Sequence, residues 1–95
     1  MKSNMLVINW QSFIELILKI RTEKQLVELF DFLLTDAEQE DIAVRYAIIV
    51  ELLAGKKTQR EIAEQLKIST AKVTRGSNAL RIADPEIKKI IVTQS

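Results

Sequence analysis

Ninety-five residues suit one small domain, yet 47% of them are hydrophobic, more than a lone core of that size covers readily, so oligomerisation is expected before any motif is considered. Neither cysteine nor histidine occurs, which excludes disulfides, thiolate metal sites, a cysteine nucleophile and the usual general base; neither an enzyme nor a metal protein is expected. The net charge of +1 hides an uneven distribution, with −4 over residues 1–55, +5 over residues 56–81 and zero over residues 82–95, the pattern of a polyanion-binding face on a dimerising body.

Glycine and proline total three residues, and no period-two alternation is sustained, so the chain reads as all-α. In a first helix Ile8, Trp10, Phe13, Ile14, Leu16, Ile17, Leu18 and Ile20 place apolar groups on more than one face. Leu26, Val27, Leu29, Phe30, Phe32, Leu33 and Leu34 do so in a second. Helices apolar on most sides are buried on most sides, here most simply against an interlocked second copy. Thr35 and Glu38 then form a capping box, and Asp36 and Glu40 sit where the helix dipole favours anions rather than in a metal or acid/base pair. A third helix carries the stripe Ile42, Ala43, Tyr46, Ile49, Val50 and Leu53 and stops at Gly55. A second capping box, Thr58 with Glu61, opens a short fourth helix bearing Ile62, Ala63 and Leu66. Ser69 caps a fifth with Val73 and Leu80. Asp84-Pro85-Glu86 opens a sixth, whose Ile87, Ile90 and Ile91 would return to pack on the body.

The expectation is six helices in a single domain at 1–95, with a dimerisation core at 1–55, a helix-turn-helix at 56–82 and a C-terminal core helix at 83–95. No apolar run is long enough to span a bilayer, and Glu15, Lys19 and Arg21 interrupt any signal-peptide core, so a soluble protein without a membrane partner is expected.

Residues 58–80 have helix-turn-helix spacing: Ile62, Ala63, Leu66, Ile68 and Val73 lock two short helices at an angle. The second would then present Ser69, Thr70, Ala71, Thr74 and Arg75, flanked by Lys72, and the short polar and small groups at its N-terminus suit base edges and thymine methyls in a major groove. Arg60, Lys67 and Lys72 suit phosphates, and Arg60 also suits guanine. The DNA-binding set is Gln59, Arg60, Lys67, Ser69, Thr70, Ala71, Lys72 and Thr74. A helical protein-interaction module is the rival from another class, and the basic segment argues against it. Gly76 is out of place inside a helix, where glycine costs roughly 1 kcal/mol relative to alanine. Either a bend or close helix packing explains it, or a flat ligand or another backbone must approach where a Cβ would clash.

Gln59-Arg60-Glu61-Ile62 followed by Thr74-Arg75-Gly76-Ser77-Asn78-Ala79-Leu80 closely resembles the bacterial tryptophan repressor family, as do Leu34-Thr35, Arg45 and the run from Val50 to Gly55. The resemblance covers about residues 10–93. It implies an intertwined cytoplasmic homodimer that binds double-stranded operator DNA with L-tryptophan as corepressor, repressing tryptophan biosynthesis or transport genes. It further implies that Arg45 and Arg75, one from each subunit, flank the indole ring, and that Arg75 also pairs the ligand carboxylate. Thr35 would help hold that carboxylate from the other subunit, the carbonyls of Phe32 and Leu34 would receive the ammonium, and Gly76 would face the ring. Guanidinium planes stack on aromatic rings and bind carboxylates, as lysine does less well. The chain departs from well-known members at Ala79, where a serine aids ammonium binding, and at Lys72, Ala63 and the glycine-free turn Lys67-Ile68-Ser69. Ala79 therefore keeps open a same-fold regulator that is constitutive or answers another ligand, such as an indole derivative.

Overall fold

Each helix begins at a side chain that satisfies its free N–H groups. The computed structural model describes residues 8–94. Helix α1 (Trp10–Lys19) starts at Asn9, whose Oδ1 accepts from the Ser12 N–H at 3.1 Å while the Ser12 hydroxyl accepts from the Asn9 N–H at 3.3 Å. Helix α2 (Glu23–Leu33) starts at Thr22, which accepts from the Gln25 N–H at 3.1 Å. The expected box opens α3 (Asp36–Ala54): Thr35 Oγ1 accepts from the Glu38 N–H at 3.1 Å, and the Thr35 N–H donates to Glu38 Oε1 at 2.9 Å. Gly55 ends α3 at φ +69°, a conformation glycine adopts without penalty. Helix α4 (Gln59–Leu66) opens on the Thr58–Glu61 box, with bonds of 3.1 and 2.8 Å. Ser69 caps α5 (Thr70–Arg81) through the Lys72 N–H at 3.3 Å. Asp84 Oδ1 accepts from the Glu86 N–H at 2.8 Å at the start of α6 (Pro85–Gln94). All six expected helices form, and no strand occurs among the described residues.

The chain divides into two compact units, residues 1–39 and 40–95. In the first, no described residue is buried; Trp10 is 71% and Phe32 83% exposed. The Trp10 and Phe13 rings meet at 5.3 Å. The Gln39 side chain donates to the Phe30 carbonyl at 3.3 Å and to Asp31 Oδ1 at 3.1 Å, tying the start of α3 to the last turn of α2.

The second unit holds the core: Ile48, Ile62, Ala63 and Val73 are buried, with Val44, Leu52, Leu66 and Ile68 packed against them. Ile62 and Val73 are completely covered, and full burial of such side chains stabilises by about 1.5–3 kcal/mol each. The helix-locking contacts expected of Ile62, Ala63, Leu66, Ile68 and Val73 all lie in this cluster.

One expectation is corrected. The apolar stripe read along α3 is not its buried face: Ile42 and Tyr46 are 51% and 47% exposed, whereas Val44, Ile48 and Leu52 turn towards α4 and α5. Residues four apart share a face, and α3 is apolar on two faces, so a single amphipathic stripe misdescribes it. Within this one chain helix α6 buries no residue, and Ile87 and Ile90 are 54% and 64% exposed.

A polar clasp binds the end of α3 to α4. Lys57 Nζ lies 3.2 Å from Glu51 Oε1 and also donates to Gln65 Oε1, while Gln65 Nε2 donates to Glu51 Oε2 at 3.1 Å. These hydrogen bonds, with the Lys57 charge, hold the Glu51 carboxyl below its ordinary pKa.

Candidate functional site

Helices α4 and α5 are joined by three residues, and the first of them sets the turn. Lys67 takes the left-handed conformation (φ 59°, ψ 46°), the Ile68 N–H reaches back to the Ala63 carbonyl at 3.0 Å, and the Lys67 N–H to that of Glu64 at 3.3 Å. This is the six-to-one closure that commonly ends a helix at glycine. Ile68 follows the turn inward against the core cluster. The left-handed residue was not foreseen; the absence of glycine from the turn was the only cue that a side chain must bear that conformation.

Around this corner Arg60, Lys67, Ser69, Thr70, Ala71, Lys72 and Thr74 are exposed, and Gln59 is partly so. The Thr74 hydroxyl donates to Gln59 Oε1 at 2.7 Å, joining the first turn of α4 to the middle of α5. That bond leaves the Gln59 amide N–H groups available as donors.

Behind the same helix lies a pocket of about 430 Å³, lined by Asp41, Val44, Arg45, Ile48 and Ile49 of α3 and by Lys72, Arg75, Gly76 and Ala79 of α5. The volume falls in the range that takes small molecules, roughly 300–1,000 Å³. Val44, Ile48, Ile49, Gly76 and Ala79 give apolar walls; Arg45, Lys72 and Arg75 add three cations, and Asp41 the one carboxylate. A planar apolar ligand bearing an anion matches these walls chemically.

Gly76 belongs to this wall and explains how α5 approaches α3. A Cβ built there falls 2.7 Å from Ile48 Cγ2, with Leu52 Cδ1 and Ile49 Cδ1 at 3.6 and 3.7 Å. The glycine therefore answers first to close packing against side chains of α3, the plainer of the two sequence readings.

Of the expected ligand set, Arg45, Arg75, Gly76 and Ala79 meet in this pocket. Arg45 and Arg75 do so within one chain, whereas the resemblance implies one from each subunit; α3 and α5 of the same unit bring both to a common cavity. Phe32, Leu34 and Thr35 belong to the first unit and are not among its lining residues. Thr35 is engaged as the N-cap of α3, and among the described residues no hydrogen bond reaches the carbonyl oxygens of Phe32 and Leu34. They follow α2's last turn or lie within it, where helix carbonyls lack intrahelical donors. Asp41 and the pocket-facing position of Lys72 were missed. Neither departs from an ordinary solvated helix position in the sequence, and only the packing of α5 on α3 reveals them. Among the described residues no cluster of acidic side chains could hold a metal ion, and no helix is long and apolar enough to cross a membrane.

Comparison with known proteins agrees with the motifs. The family model described as Trp repressor protein matches residues 8–95. A Trp operon repressor homolog of Chlamydia trachomatis serovar L2 is 49% identical over 82 residues, covering 86% of this chain and 87% of its own length. The homolog of Chlamydia caviae is 44% identical with coverages of 86% and 81%, and that of Histophilus somni (strain 2336) 39% identical with coverages of 81% and 73%. On the family match and these identities, the chain belongs to the Trp repressor family, a family of regulatory proteins.

Proposed function

We propose that this chain is a homodimeric, cytoplasmic, helix-turn-helix repressor that binds double-stranded operator DNA and is activated by L-tryptophan. The observation that carries the reading is the meeting of Arg45, Arg75 and Gly76 in one cavity whose far wall is the helix bearing Lys72 and Thr74. A ligand held there touches the back of the element whose front would enter the major groove.

When bound, the amino acid contributes a flat ring and a carboxylate; the rest is done by the chain. Arg45 and Arg75 stack on the ring, and the Arg75 guanidinium pairs the carboxylate. The Phe32 and Leu34 carbonyls and the Thr35 hydroxyl reach the polar end from a second subunit. Contacts to both α3 and α5 fix the tilt of α5, so that two recognition helices sit about one helical turn of DNA apart, roughly 34 Å. The free protein samples other tilts, and the populations shift towards the DNA-competent one. By linkage, operator DNA tightens ligand binding by the same factor that ligand tightens DNA binding.

The test is fluorescence anisotropy on a palindromic operator candidate against a scrambled duplex, with and without L-tryptophan. Specific binding enhanced by tryptophan is expected, and Arg75→Ala should abolish the enhancement. Undiminished enhancement in that variant would overturn the site. A second reading rests on Ala79, which gives the pocket wall a methyl where a hydroxyl would hold an ammonium. On that reading the protein is constitutive or answers an indole derivative, and operator binding would be unaffected by tryptophan.

A further inference from the structure

Asp41 is the one carboxylate among the pocket's lining residues, in company with Arg45, Lys72 and Arg75. It lies one turn before Arg45 on α3, the spacing at which aspartate and arginine ordinarily pair along a helix. They do not pair here. The Lys57–Glu51 contact is the ion pair found among the described residues, and the side chains of Asp41, Arg45, Lys72 and Arg75 make no hydrogen bond to another protein group. The cavity therefore presents separated charges of both signs, each free to meet a ligand, across walls that are otherwise apolar.

Such a cavity offers a zwitterion a partner for each of its charges, whereas a simple anion leaves Asp41 without one. Three cations alone would favour any planar carboxylate. A free carboxylate beside them penalises a ligand carrying only negative charge and favours one that adds an ammonium group. Ala79 has no donor or acceptor on its side chain, so among the lining residues an ammonium finds its acidic partner only at Asp41.

Building on the ligand site proposed above, we infer that Asp41 is a specificity-determining residue that reads the α-ammonium group of an amino-acid ligand and discriminates against the deaminated carboxylate. The position is exposed and within α3, and asparagine keeps its shape while removing its charge.

The test is isothermal titration of the full-length protein and its Asp41→Asn variant with L-tryptophan and with indole-3-propionate, which lacks only the amino group. The unmodified protein should prefer tryptophan. The substitution should weaken tryptophan about tenfold or more, the scale of one hydrogen bond to a charged group, and leave indole-3-propionate unchanged or tighter. If Asp41 instead orients Arg45 or meets the ring N–H, both ligands lose affinity together, and the inference is overturned while the ligand pocket stands. Unchanged affinities for both overturn it equally. If the unmodified protein binds neither ligand, the corepressor reading falls, and this inference with it. Circular dichroism of the variant, expected to match the parent, separates these results from misfolding.

Discussion

A single missing methyl group decides how two helices of the second unit meet. At Gly76 two effects oppose each other: alanine would gain roughly 1 kcal/mol of helix propensity, but its Cβ would stand 2.7 Å from Ile48 Cγ2. Ile48 is β-branched, 2% exposed and in the core cluster, so it cannot swing aside freely. Overpacking of this kind costs about 1–3 kcal/mol, and the clash wins. Gly76→Ala should lower stability by about 1 kcal/mol in urea unfolding. The double-mutant cycle supplies the control: in an Ile48→Ala background the same substitution should become neutral or stabilising. A loss of equal size in both backgrounds would show that something other than Ile48 forbids the side chain. At this scale the sequence was partly legible. An interior glycine flagged a close approach, and a family motif marked Arg45 and Arg75. Asp41 was invisible, because its place in the pocket lining comes from what α5 brings opposite it and not from any local pattern.

At the scale of elements, caps were the most legible feature. Thr35, Thr58, Ser69 and Asp84 act on N–H groups two or three residues away, so local sequence contains the whole interaction. The face of α3 that would be buried was not legible, since apolar residues line two faces and the choice between them is made by α4 and α5. The turn between α4 and α5 combines both cases. Lys67 carries a left-handed backbone at φ 59°, at a cost of about 1–2 kcal/mol for a residue with a Cβ. Glycine removes that strain but loses roughly 0.5–1 kcal/mol through greater freedom in the unfolded chain. Lys67→Gly should therefore stabilise by about 0.5–1 kcal/mol in urea unfolding. The same change removes an exposed cation beside α5, so operator affinity should fall, and the slope of log K against log salt should flatten by about one per subunit. Reduced stability would refute the strain argument; an unaltered salt slope would remove Lys67 from the DNA face.

For the whole molecule, the decisive quantity is apolar surface left open. Residues 8–39 contain no buried side chain, although this stretch holds Trp10, Phe30, Phe32 and a series of leucines and isoleucines. Phe32 is 83%, Ile82 88% and Ile90 64% exposed, and the second face of α3 adds Ile42 and Tyr46. A chain that spends so little of its hydrophobic content on its own core has little from which to offset the ordering of α1, α2 and α6, at about 1–2 kcal/mol per residue of backbone entropy. Burial against a second copy resolves this, and it is the arrangement proposed for the functional protein. Folding is then coupled to association, and apparent stability depends on protein concentration. Thermal unfolding monitored by circular dichroism should show a midpoint that climbs over a hundredfold rise in concentration. Sedimentation equilibrium should give about twice the 10.9 kDa mass of the chain. A folded species at the single-chain mass, melting at one temperature whatever its concentration, would mean that α1, α2 and α6 are held by contacts within one chain, and the dimer would have to be abandoned.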